Sequence, residues 1–79
     1  MPKSQTVVDI YRLTFQSGSS NKFYNVYIAE DGTVVLRWGR MHTHGQSSVS
    51  AMPTYDDAVD LGMRQVYAKK SKGYTQQYA

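Results

Sequence analysis

Seventy-nine residues and 9.0 kDa leave room for one domain, at a size where a single core is just sufficient, and 41% hydrophobic with 19% charged residues argue for folding over disorder. The longest run of apolar and aromatic residues is four (Val26 to Ala29), against the roughly 20 that a membrane-spanning helix needs, and the absence of cysteine removes disulfides and thiolate chemistry. A net charge of +3 turns the chain mildly toward polyanions. No apolar segment follows Met1-Pro2-Lys3-Ser4-Gln5 as a secretory signal requires, so the expectation is a cytoplasmic protein, nucleoid-associated in a bacterium, with residues 1–6 flexible and 7–79 one domain.

Val7 to Phe15 and Lys22 to Ala29 are rich in β-branched and aromatic residues and read as strands joined by the polar connector Ser17-Gly18-Ser19-Ser20-Asn21. Asp31-Gly32 then separates Phe23–Glu30 from Thr33–Arg40, and an Asp-Gly pair in such a place predicts a two-residue type I′ hairpin. Opposing positions then sum to 63, pairing Tyr27 with Leu36, Asn25 with Trp38, Phe23 with Arg40 and Asn21 with His42. Tyr27, Leu36, Asn25, Trp38, Phe23 and Arg40 fall on one face, and Ile28, Val35, Val26, Arg37 and Tyr24 on the other, so that neither face is cleanly polar.

A fourth strand is expected over Gln46–Met52, beyond the loop Met41-His42-Thr43-His44-Gly45. From Thr54 the period changes: Tyr55, Val59, Gly62, Met63 and Val66 share one helical face with Ala58 on its margin, which predicts an amphipathic helix over 54–70. Thr54 is the expected N-cap, and Gly73 the expected C′ residue after Lys69, Lys70 and Lys72. The fold class is therefore α+β, a small antiparallel sheet of about four strands with one helix packed on it.

Charge is segregated. Residues 33–55 carry Arg37 and Arg40 with no acid, Asp56, Asp57 and Asp60 cluster next, and everything after them is basic. Acids in the first turns of a helix are accounted for by its dipole, at about 0.3–1 kcal/mol each, as are the lysines at its end. His42 and His44 lie two apart but lack a third ligand, so no metal is expected. No nucleophile elbow or phosphate-binding glycine loop occurs, so no catalysis and no cofactor are expected.

The most specific signal is a set of four separated motifs. Asn21-Lys22-Phe23-Tyr24, Arg37-Trp38-Gly39-Arg40, Gly45-Gln46 and Lys69-x-x-Lys72-Gly73-Tyr74 together resemble the WGR domain in order and spacing, over roughly Val7 to Tyr74. The family resemblance implies an antiparallel sheet with one helix, as found in DNA-dependent poly(ADP-ribose) polymerases and in bacterial proteins, where in the polymerases it binds DNA breaks. It implies that Trp38 stacks on a terminal sugar, that Arg40 reaches DNA phosphate or a partner domain, and that Asn21 with the backbone at Gly45 holds a 5′-phosphate. The candidate DNA-binding set is then Asn21, Lys22, Arg37, Trp38, Gly39, Arg40, His42, Gly45, Gln46, Lys69 and Lys72. His42 departs from the family pattern, which has glycine there, so the 41–45 loop is expected to be reshaped or to gain a histidine contact. Trp38, on a strand with Val34 and Leu36, reads as core by itself and as partly exposed under the resemblance. The expected partner is double-stranded DNA at ends or nicks, with a protein carrying a catalytic activity as a second partner and no membrane. The alternatives are a protein-interaction module without DNA binding and a small metal-dependent enzyme.

Overall fold

The computed structural model describes residues 6–77. The first strand, β1 (Val7–Ser17), turns at Gly18 and Ser19 into β2 (Ser20–Ala29), which is followed by β3 (Thr33–Arg40) and β4 (Gln46–Ala51). A single helix, α1 (Tyr55–Ser71), leads to a short last strand, β5 (Thr75–Gln77). All pairings are antiparallel and give one five-stranded sheet in the order β4-β3-β2-β1-β5. Five strands replace the four expected from sequence. The fifth is three polar residues long, too short to carry a period-two pattern, and it exists because the chain leaving α1 returns along the open edge of β1, pairing Leu13 with Gln76. Of the N-terminal stretch expected to be flexible, residues 1–5 lie outside the described residues, while the Thr6 carbonyl accepts a hydrogen bond from Glu30 N at 3.0 Å.

The register between β2 and β3 corrects the sequence expectation by one residue. Pairs sum to 62 and not 63: Lys22 faces Arg40, Tyr24 faces Trp38, Val26 faces Leu36 and Ile28 faces Val34. The cause lies in the turn. Glu30 leaves the strand and joins Asp31 and Gly32 in a three-residue loop, with Gly32 N donating to the Ala29 carbonyl at 3.1 Å and Gly32 at φ 97°. The Asp31 carboxylate accepts from Thr33 N at 2.9 Å and sets the entry into β3. A one-residue slip exchanges the faces of one strand against the other. Trp38 and Leu36 therefore share a face with Tyr24, Val26 and Ile28, while Arg37 and Val35 join Phe23, Asn25 and Tyr27.

That regrouping makes the core. Leu13, Val26, Ile28 and Val34 on the sheet and Ala58 and Val66 on the helix are buried together, with Trp38, Leu36 and Tyr74 packed at the margin. Ala58 lies at the centre of the helix contact, not its edge, and Gly62 is buried beside it; a Cβ at Gly62 would come within 2.7 Å of the Ile28 Cδ1. The missing side chain lets the helix axis approach β2 closely.

Both helix ends follow the expected chemistry. Thr54 accepts a hydrogen bond from Asp57 N at 3.1 Å. At the other end Tyr74 N bonds the Lys69 carbonyl and Gly73 N the Lys70 carbonyl, a Schellman pair that turns the chain out toward β5. All six acids consequently sit in the helix N-terminal half or around the β2–β3 turn, where the Tyr55 hydroxyl bonds the Asp9 carboxylate. Lys22, Arg40, Lys69, Lys70 and Lys72 gather at the opposite end of a molecule 47 Å long and 22–23 Å across. No helix among the described residues is long and apolar enough to cross a membrane.

Candidate nucleic-acid interface

The basic end carries a cleft of about 430 Å³ between the start of β2, the end of β3 and the end of α1. Its walls include Asn21, Lys22, Trp38, Gly39, Arg40 and Lys69 from the sequence-derived set, together with Ser19, Ser20, Tyr24 and Tyr74. No carboxylate lines it. Lys22 and Arg40 are paired across β2 and β3, so that their side chains leave the same face of the sheet, and both are exposed. Two cations are thus held side by side by backbone pairing alone, an arrangement that repels itself unless an anion lies near.

The cleft floor is aromatic. Tyr24 and Trp38, opposite one another on adjacent strands, lie with ring centroids 6.2 Å apart and an interplanar angle of 27°. Tyr74 meets Tyr24 edge-on at 6.4 Å and Phe15 at 5.3 Å, closing the row on the helix side. Trp38 is half-buried: it packs at the margin of the core and still contributes to the cleft wall. Lys69 stands over the Tyr24 ring with its Nζ at 4.8 Å and 5.8 Å from the Tyr74 ring, held by cation–π attraction where the helix ends. The Tyr24 hydroxyl donates to the Gln65 Oε1 at 3.2 Å. Burial, with Tyr74 beside it, raises the Tyr24 pKa above the ordinary tyrosine value, so this ring remains a neutral wall at neutral pH.

Asn21 bonds through its backbone, accepting from Met41 N at 2.8 Å, whereas its side-chain Oδ1 is buried without a hydrogen-bond partner among the described residues. A buried acceptor of this kind calls for a donor from water or a ligand. Lys72 lies one step outside, in a shallower depression that shares Lys22, Lys69 and Tyr74 with the main cleft.

Other members of the set are placed elsewhere. Arg37 and His42 line a groove on the opposite face of the sheet: alternation along β3 turns Arg37 away from Trp38, and the register sets it opposite Asn25. Arg37 Nε donates to the His44 carbonyl at 2.8 Å and ties down the 41–45 loop. His42 adopts φ 67°, the left-handed conformation that glycine takes without strain, so the loop keeps that backbone shape and carries an imidazole on it. Gly45 lies against the Trp38 carbonyl and the Phe23 ring and does not line the cleft. Gln46 pairs with Trp38 from the edge strand and is exposed. Tyr24, Tyr74, Ser19 and Ser20 escape sequence reasoning as site residues. The signal for Tyr24 was its alternation with Val26 and Ile28, which in the correct register sets it beside Trp38. His42 and His44 are both exposed, and no metal-binding cluster of three or more ligating side chains occurs among the described residues.

Five antiparallel strands under one helix, with a basic aromatic cleft at one end, define a small α+β module. The family model of the WGR domain matches residues 9–79, and the chain belongs to the WGR domain family, whose members are non-catalytic nucleic-acid-binding modules. Among solved structures, a protein of Bacteroides fragilis superposes with a TM-score of 0.79 at 23% identity, over 89% of this chain and 20% of that one. The chain therefore spans about a fifth of the length of that structural relative, and the likeness establishes the fold. No curated protein matches significantly.

Proposed function

We propose that this domain binds duplex DNA at ends or nicks, with the cleft receiving the terminal nucleotide. The observation that carries the reading is the convergence of a half-exposed Trp38, the Lys22–Arg40 pair and Lys69 in one cleft without a carboxylate. A terminal sugar packs on the Trp38 ring, its 5′-phosphate lies among Asn21, Lys22 and Lys69, and Arg40 takes a neighbouring phosphate of the same strand. Cations supply affinity, and the ring supplies the preference for a terminus, since only there is a sugar or base face uncovered. The domain acts without catalysis and without a bound cofactor.

Arg40→Ala tests the placement. Arg40 is exposed and makes no side-chain hydrogen bond or ion pair among the described residues, so its removal is expected to leave the melting temperature within about 2 °C of wild type, as for surface charges generally. Duplex affinity is expected to fall by about tenfold, the cost of losing a charge-assisted phosphate contact. Fluorescence anisotropy with a labelled duplex, beside a thermal melt, separates the two effects. Unchanged affinity would move the interface away from the cleft and favour a protein-interaction role.

A further inference from the structure

The helix covers one face of the sheet, and the other face has a chemistry of its own. Across all five strands runs a single row of paired positions, Gln77, Arg12, Asn25, Arg37 and Ser47, polar from edge to edge. Two guanidiniums flank one amide. Next to this row Phe23 presents a partly exposed ring, over which the Arg37 guanidinium sits at 5.8 Å from the centroid. Gln77, Arg12, Asn25, Arg37 and Phe23 border a groove of about 310 Å³, whose remaining wall is Thr14, Met41, His42 and Thr43. None of the six acids lines it: Asp9 pairs with Ile28 on the helix-covered face, Glu30 and Asp31 are in the β2–β3 turn, and the others are on α1. Arg12 is exposed and its side chain makes no hydrogen bond or ion pair among the described residues, and of the Arg37 guanidinium only Nε is engaged in a hydrogen bond, to the His44 carbonyl.

The groove also has a defined relation to the cleft. Arg40 lines the cleft and His42, two residues later, lines the groove, so the 41–45 loop is the rim over which one surface passes into the other. If a 5′-phosphate ends in the cleft, the strand that continues past the end is the complementary one, and it continues as a 3′ extension. We infer that the open face of the sheet, through Arg12, Arg37, Asn25 and Phe23, binds the single-stranded 3′ extension of a duplex whose recessed 5′ end occupies the cleft. The occupant is a single strand because it meets the groove's charge with phosphate and the Phe23 ring with an unstacked base, which a closed duplex does not offer. The route from the cleft rests on the function proposed above; the chemistry of the groove does not.

The test compares binding of a blunt 5′-phosphorylated duplex, the same duplex with a 3′ single-stranded extension, and the free single strand, by fluorescence anisotropy. For the wild-type chain the extension is expected to tighten binding by about tenfold, the lower range for one stacked base with phosphate contacts. Arg12→Glu is expected to abolish that gain and free-strand binding while leaving the blunt duplex unchanged, and Arg12→Gln, which removes only the charge, to reduce both partly. Arg40→Ala is expected to weaken blunt and extended duplexes in the same proportion. An extension that adds nothing, or a gain that survives Arg12→Glu, overturns the inference and leaves the cleft reading intact. Binding of the free strand that depends on Arg12, without any binding of the blunt duplex, would instead uphold the groove and overturn the cleft.

Discussion

Raising the salt concentration from about 50 to about 200 mM is expected to weaken duplex binding on the order of a hundredfold. Lys22, Arg40, Lys69 and Lys72 stand around the cleft and its adjoining depression, and each phosphate they neutralise releases condensed counterions. Four such contacts give a log–log slope of about −3.6, and a fourfold rise in salt then costs roughly two orders of magnitude in affinity. The segregation of charge strengthens the expectation, since the six acids are held at the other end of the molecule and do not compete for these cations. Arg37 and Arg12 face the far side of the sheet and do not enter this sum. The slope, measured by titration at several salt concentrations, counts the contacts, and a value near zero would remove phosphate from the interface altogether.

Gly45→Ala is expected to be the most damaging single methyl that the structure identifies near the site. An added Cβ would overlap the Trp38 carbonyl oxygen and stand 2.9 Å from Phe23 Cζ, while the backbone there has φ 68°. The left-handed conformation costs a non-glycine residue about 1–2 kcal/mol and overpacking about 1–3 kcal/mol more, so a loss of about 3 kcal/mol follows. For a domain of this size that lowers the melting temperature by about 12–24 °C. Gly18 supplies the control, because its φ is 58° but nothing lies within 4 Å of its would-be Cβ. Gly18→Ala is expected to cost only the conformational part, about 1–2 kcal/mol. Equal losses at the two positions would show that the close approach of the 41–45 loop to β3 is not what holds the loop in place.

How far the sequence could be read depended on whether a signal was local. Thr54 and Gly73 mark the helix ends through hydrogen bonds made within a few residues, and both were legible to within one residue. The register of β2 on β3 was not, because Asp31-Gly32 fits both a two-residue loop and the last two positions of a three-residue one, and the choice depends on where Glu30 goes. The apolar pattern held the answer. Pairing to a sum of 63 mixes polar and apolar residues on both faces, whereas 62 collects Tyr24, Val26, Ile28, Val34, Leu36 and Trp38 on one, as a buried face requires. The same slip governs the candidate site: alternation along β3 separates Trp38 and Arg40 from Arg37 in either register, but only a sum of 62 brings Tyr24 and Lys22 to the face of Trp38 and Arg40. The fifth strand had no readable signature, because three polar residues become a strand only when the edge of β1 is already there to receive them.

The most direct test of the proposed function compares one duplex in two forms, with free 5′-phosphorylated ends and with both ends closed by hairpin loops. Trp38 lines the cleft from the margin of the core; under the proposed function its exposed part would meet a sugar or base face, which is open only where stacking in the duplex stops. Contact of that kind is worth about 1–3 kcal/mol by analogy with base stacking on aromatic side chains, or roughly tenfold and upward in affinity. In a fluorescence titration at constant salt the free-ended duplex is expected to bind at least about tenfold more tightly than the closed one, and removing the 5′-phosphate to erase part of that difference. Equal affinity for the two forms would contradict recognition of a terminus in the cleft.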